Sequence, residues 1–223
     1  MVIGRVRALS LRTDRHTPPR RVEHAVALAG QGLAGDIHAN PSSPRQLLLA
    51  DAAVYDRFDL PAHALRENLL VDVDTASLAS GTILQIGKDV RIRLMFQCEA
   101  CGQLDLQRHG LASALGNRRG MLARVLEGGT VCQGDLVRHL DDHLPAWSDD
   151  WRERVRKVLE AVPLGTVINY AELARTAGIQ SSYCRAFPRL IENFGPALSA
   201  RAAPARDAGD RQRWNPEGFF DLF

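Results

Sequence analysis

Up to His139 the apolar residues come in short blocks, at 26–29, 47–49, 82–86 and 90–96 among others, separated by glycine and polar clusters. A chain patterned this way builds its core from strands rather than long helices. Val90-Arg91-Ile92-Arg93-Leu94 alternates apolar and basic residues, which puts Val90, Ile92 and Leu94 on one face of a strand and both arginines on the other. Residues 50–58 and 112–126 are predicted helices, the second interrupted by Gly116 and Gly120, and Gly128-Gly129 and Gly134-Asp135 mark turns.

The stretch 141–150 (DDHLPAWSDD) combines acids with a proline and has no period, the composition of a linker. It divides the chain into domains at 1–140 and 151–223. In the second, Val155, Val158, Leu159 and Val162 recur at helical spacing, with Ser148 or Asp149 as N-cap and Pro163 and Gly165 as the stop. A second helix is predicted over 170–177, ending at Gly178. A third begins at Ser181, where Phe187, Leu190, Ile191 and Phe194 share a face and Pro188 demands a kink or a late start. The Ala- and Arg-rich tail 199–210 reads as a wing or a mobile end.

The formal charge of +2 is nearly balanced, and the slight basic excess of residues 151–223 permits nucleic-acid binding without requiring it. No membrane span or leader is read in the sequence, so a cytoplasmic location is expected. Four cysteines, Cys98, Cys101, Cys132 and Cys184, are too few for a disulfide scaffold, and the close pair suggests redox, metal or cofactor chemistry.

Three segments carry more polar and glycine residues than folding needs: Gly32-Leu33-Ala34-Gly35-Asp36-Ile37-His38, Arg66-Glu67-Asn68 and Cys98-Glu99-Ala100-Cys101-Gly102. Gly32 and Gly35 permit left-handed turns and a close backbone approach to a ligand, beside the polar groups of Asp36 and His38. The cysteine pair fits a thiolate nucleophile, two zinc ligands, a thioredoxin-like redox pair, a disulfide or a persulfide relay. The zinc reading lacks nearby histidines and the thioredoxin reading lacks its βαβ surroundings.

Taken in order with Arg45-Gln46-Leu47-Leu48-Leu49, Leu84-Gln85-Ile86-Gly87, Arg118-Arg119-Gly120-Met121-Leu122-Ala123-Arg124-Val125 and Gly134-Asp135, these segments resemble the MOSC family over residues 1–139. That family occurs at the C-terminus of molybdenum cofactor sulfurases and in hydroxylamine-compound reductases. The resemblance implies an α+β fold, a MOSC-type mostly antiparallel β-barrel with a small helical, winged-helix-like domain after it. It further implies binding of molybdenum cofactor (molybdopterin), and an association with pyridoxal phosphate enzymes. Cys101, followed by Gly102-Gln103-Leu104, matches the family cysteine as molybdenum ligand or sulfur acceptor, with Cys98 beside it. Soft molybdenum suits a thiolate, and the cofactor phosphate suits guanidinium groups, here Arg45, Arg118 and Arg119. Gly35, Asp36, Glu67 and Asn68 are the remaining candidate cofactor contacts, and His38 a candidate acid–base group.

Residues 152–194 resemble the DNA-binding domain of O6-alkylguanine-DNA alkyltransferases and their alkyltransferase-like relatives. The likeness runs through Val162-Pro163-Leu164-Gly165-Thr166-Val167, Tyr170-Ala171-Glu172-Leu173-Ala174 and Cys184-Arg185-Ala186-Phe187. It implies that Tyr170 and Arg185 assist base extrusion. No cysteine follows Cys184, so the acceptor motif is missing and alkyl transfer is not expected. The leading expectation is sulfur transfer or reduction of an N- or S-oxygenated substrate, with a reductase or sulfur-donor protein as partner. The alternative is a non-catalytic DNA-associated protein with the barrel as an accessory.

Overall fold

A computed structural model describes residues 1–14, 16–207 and 211–222. The chain forms two compact units, one of Met1–Asn40 with Arg45–Trp147, the other of Ser148–Phe223 with Pro41–Pro44.

The first unit contains strands β1 (Val2–Leu11), β2 (Arg20–Val22), β3 (His24–Leu28), β4 (Gly32–Leu33), β5 (Leu47–Asp51), β6 (Leu69–Val71), β7 (Thr82–Ile86), β8 (Val90–Gln97), β9 (Met121–Glu127), β10 (Gly129–Cys132) and β11 (Leu136–His143). Strand order β11-β7-β8-β9-β5-β6-β1, with β1 pairing back to β11, closes a barrel. Closure removes the open edges that would otherwise invite pairing with other chains. Every pairing in it is antiparallel except β5–β6. β2 extends the barrel beyond β1, and β10, β3 and β4 form a separate small sheet. Leu9, Leu49, Val71, Leu84, Ile86, Leu94 and Val137 are fully buried in the barrel core.

Three short helices belong to this unit: α1 (Ala52–Phe58), α2 (Gly102–Asp105) and α3 (Leu111–Leu115). α1 fills most of the predicted 50–58 helix and is capped by Asp51, whose side chain accepts from the Ala53 amide. The predicted helix 112–126 is replaced by α3, a 3-10 turn at Gly116–Arg119 and β9. Met121 through Val125 are buried on both faces, between β5 and β8, so their sequence has no strand alternation. Gly120 (φ 128°) makes the switch into β9, because a Cβ there would overlap the Leu49 carbonyl oxygen.

β8 follows its predicted alternation through Arg91, which is exposed, and departs at Arg93, which is 2% exposed. The chain at 144–147 covers that face of β8. Leu144 N–H donates to Gly81 O, Trp147 N–H to Ser80 Oγ, and the Arg93 guanidinium to Pro145 O. The predicted linker 141–150 accordingly gives Asp141–His143 to β11 and a fully buried Trp147 to the same unit.

The second unit holds helices α4 (Trp151–Ala161), α5 (Tyr170–Thr176), α6 (Phe187–Glu192) and α7 (Pro196–Ser199), with strands β12 (Thr166–Asn169), β13 (Ala202–Ala203) and β14 (Gln212–Arg213). Val155, Val158 and Leu159 are buried as their spacing predicts, while the N-cap is Asp150 rather than Ser148 or Asp149. Residues from Ser181 form a 3-10 turn, and α6 starts late, so Pro188 sits in its first turn, where no helical N–H is lost. Of the tail, β13 runs parallel to β12, as does β14 beyond it, whereas 208–210 lie outside the described residues. Among the described residues, no helix is long and apolar enough to cross a membrane.

Candidate functional site

Asp36 is the hub of the first predicted segment. Its side chain is fully buried. Oδ2 accepts from the Arg12 amide at 2.9 Å and from Asn68 Nδ2 at 2.8 Å, while Oδ1 accepts from the His38 amide at 2.9 Å and faces His38 Nδ1 at 3.0 Å. Burial alone would raise the Asp36 pKa, but the bonds from His38 and Arg12 outweigh it and hold the carboxyl below its usual range. Asn68 is spent on the fold. Its Oδ1 accepts from the Leu48 amide, and Nδ2 also donates to Ser10 O, so one side chain ties β1 and β5 to the Asp36 loop. Gly35 (φ 79°) is exposed, with open space where a Cβ would stand.

Glu67 is buried beside Asn68, and Tyr55 Oη donates to its Oε2 at 2.5 Å. Burial pushes the Glu67 carboxyl up against the lowering effect of that bond, and it raises the Tyr55 hydroxyl as well. The pair therefore holds its protons more firmly than exposed groups would.

The two neighbouring cysteines sit in different surroundings. Cys98 is buried at 1% exposure, with Arg45 Nη2 at 3.9 Å from its sulfur. Cys101 is half-buried at the N-terminal end of α2, and its sulfur accepts from Arg119 Nη1 at 3.2 Å. The same nitrogen donates to Glu99 O at 2.7 Å, which fixes the guanidinium over the loop. Arg119 is itself buried, and its Nε has no hydrogen-bond partner. Arg118 is half-buried, with no partner among the described residues. All four cysteines are free thiols. Among the described residues no three His, Cys, Asp or Glu side chains converge to hold a metal ion by themselves.

A cleft of about 430 Å³ is lined by Arg66, from a segment the sequence singled out, and by residues that sequence reasoning passed over, Arg12, His16, Pro18, Pro19, Pro61, His63 and Gln107 among them. His63 (φ 62°) and Arg66 (φ 60°) both take the left-handed backbone that non-glycine residues seldom adopt. No motif announces that conformation, since neither residue is a glycine or asparagine. Ser10 Oγ lies 3.2 Å from His63 Nδ1, and Arg66 Nη1 donates to Gln103 Oε1 at 2.7 Å. The second contact joins the cleft wall to the helix that begins at Cys101.

In the second unit Tyr170 is half-buried and packs edge-on against Phe187, while Arg185 is exposed in the 3-10 turn. Cys184 Sγ donates to Tyr170 O at 3.4 Å, and burial raises its thiol pKa. The pyridoxal phosphate association finds no support. That cofactor needs a Schiff-base lysine, and the first unit offers Lys88 alone, exposed in the β7–β8 turn.

Residues 37–138 match the family model for the MOSC domain. Three crystal structures share the fold. The YUAD protein from Bacillus subtilis is 18% identical with a TM-score of 0.52, over 60% of this chain and 93% of that one. A hypothetical protein is 18% identical at 0.53, over 90% and 95%, and YiiM from Geobacillus stearothermophilus is 16% identical at 0.50, over 84% and 98%. No curated protein matches the chain. The family match ends at residue 138, so the alkyltransferase-like reading of residues 152–194 rests on the sequence resemblance alone. With the closed barrel and the matched segment together, residues 37–138 constitute a MOSC domain.

Proposed function

We propose that the MOSC domain binds molybdenum cofactor and serves reduction of N- or S-oxygenated substrates or sulfur transfer, with Cys101 as the metal ligand or sulfur acceptor. The observation that carries this reading is the half-buried Cys101 sulfur with a buried guanidinium donating to it at 3.2 Å. A cationic donor suits a sulfur that bears negative charge, whether bound to metal or carried as a persulfide.

The residues present fit the cofactor. The site offers one thiol and no converging set of protein ligands, so a metal here draws its other ligands from an organic group, as a dithiolene provides. Arg119 keeps a buried, unpartnered Nε, and Arg118 is uncommitted among the described residues. When bound, the cofactor supplies a soft metal and dithiolene sulfurs for two-electron or sulfur-exchange chemistry. Arg119 orients the Cys101 sulfur. His38 has its Nδ1 engaged by Asp36, which leaves Nε2 to take up or release a proton. A reductase or sulfur-donor protein would deliver the electrons or sulfur. No observation in the second unit favours DNA as the ligand.

Protein from a cofactor-competent host tests the reading. Wild type is expected to contain molybdenum and fluorescent pterin, Cys101→Ser to lose the metal, and Cys98→Ser to retain part, with about a 10- to 100-fold weakening. Metal-free wild type, or full retention by Cys101→Ser, refutes it.

A further inference from the structure

Among the described residues, the cleft is lined by four basic side chains, Arg12, His16, His63 and Arg66, and by no acidic one. Three neighbouring carboxylates have partners of their own, although Glu67 also attracts His63 electrostatically. Asp14 accepts from the His16 amide at 2.6 Å, Asp36 accepts from Arg12 and Asn68, and Glu67 is turned inward to Tyr55. Pro18, Pro19 and Pro61 line the cleft beside these groups and limit how far its backbone can move.

We infer that this cleft is an anion site for a phosphate monoester. Arg66 is braced by Gln103 and His63 by Ser10, so both reach the ligand with part of their side-chain freedom already lost. Their left-handed backbone adds to this, because such a conformation is held only where surrounding structure enforces it. A phosphate monoester matches two guanidinium groups and two imidazoles better than a carboxylate does, having three terminal oxygens to share among them. Because Arg66 holds Gln103, two residues past Cys101, an occupant of the cleft lies on the side of the molecule that carries the reactive thiol. The assignment stands on the cleft's own geometry. The phosphate belongs either to the cofactor proposed above or to a separate phosphorylated small molecule.

Calorimetry on the full chain at fixed ionic strength, with inorganic phosphate and then glycerol 3-phosphate as probes, tests it. Wild type is expected to bind the ester, and Arg66→Gln and Arg12→Gln each to weaken it about 10- to 100-fold. Arg91→Gln, on the exposed face of β8 and outside the cleft, is expected to leave it unchanged. If wild type binds neither probe, or if all three variants weaken it alike, the anion site is overturned. Pterin content separates the two sources: Arg66→Gln protein that loses both pterin and ester binding identifies the cofactor's phosphate, and loss of ester binding with pterin retained identifies a separate ligand. Ester binding by wild type that carries no pterin sinks the cofactor reading and leaves the anion site standing.

Discussion

Arg119 Nη1 bridges the Cys101 sulfur and the Glu99 carbonyl, so one guanidinium nitrogen sets both the position of the thiol and the course of the loop that carries it. Cys98, three residues earlier, points to Arg45 from within the core. The spacing puts the two thiols in one turn, yet solvent reaches only the second.

Alkylation of the native protein should reveal that difference. Iodoacetamide is expected to label Cys101 and the exposed Cys132, with Cys98 labelled only after denaturation. Peptide mass mapping reads the sites, and equal native labelling of Cys98 and Cys101 would contradict the burial described.

Asn68→Ala removes a side chain bonded at both ends of its amide and leaves the buried Asp36 carboxylate short of a donor. Leaving such groups unsatisfied costs about 2–4 kcal/mol. Urea denaturation should show a loss of that size, and a change under about 0.5 kcal/mol would mean that the barrel tie at Asn68 is dispensable.

The Glu67 carboxyl is raised in the folded state, first by burial. A raised carboxyl favours the fold fully below its unfolded pKa of 4.5, and that contribution is lost as pH rises through the folded value. Glu67→Gln keeps an acceptor for Tyr55 and cannot ionise. Its thermal midpoint is therefore expected to gain on wild type as pH is raised from 4 towards neutrality, and a gap that narrows instead reverses the sign assigned here.

Cys184 does not present an alkyl acceptor. Burial raises its thiol and its proton is directed to Tyr170 O, so the nucleophilic thiolate is scarce. Incubation with DNA containing O6-methylguanine should leave Cys184 unmethylated by mass spectrometry.

The strands of the first unit were legible because half-buried strands announce themselves by short apolar blocks, their closure into a barrel was implied only by the family resemblance, and the helix of Val155, Val158 and Leu159 showed in its spacing. Met121–Glu127 was read as helix because a strand buried on both faces has no alternation to show. Asp36, Cys101 and Arg119 were legible as candidates, but the division of labour among them was not. Asn68 turned out to be occupied by the backbone of β5 and β1, and Arg45 lies by the inner cysteine rather than the outer one. The cleft at His63 and Arg66 escaped notice because its shape depends on backbone torsions that ordinary residue types do not advertise.

The one parallel pairing within the barrel, β5 with β6, reaches further than its three residue pairs suggest. Parallel neighbours cannot be joined by a hairpin, so the chain must make a long return journey between them. Residues 52–68 are that journey, which forms α1 and then brings Pro61, His63 and Arg66 to the cleft. The strand order thus obliges a connecting segment to exist at this place while leaving open the identity of the residues it turns to the cleft, Pro61, His63 and Arg66. Chemistry in the cleft can be rewritten there without disturbing the register of any strand.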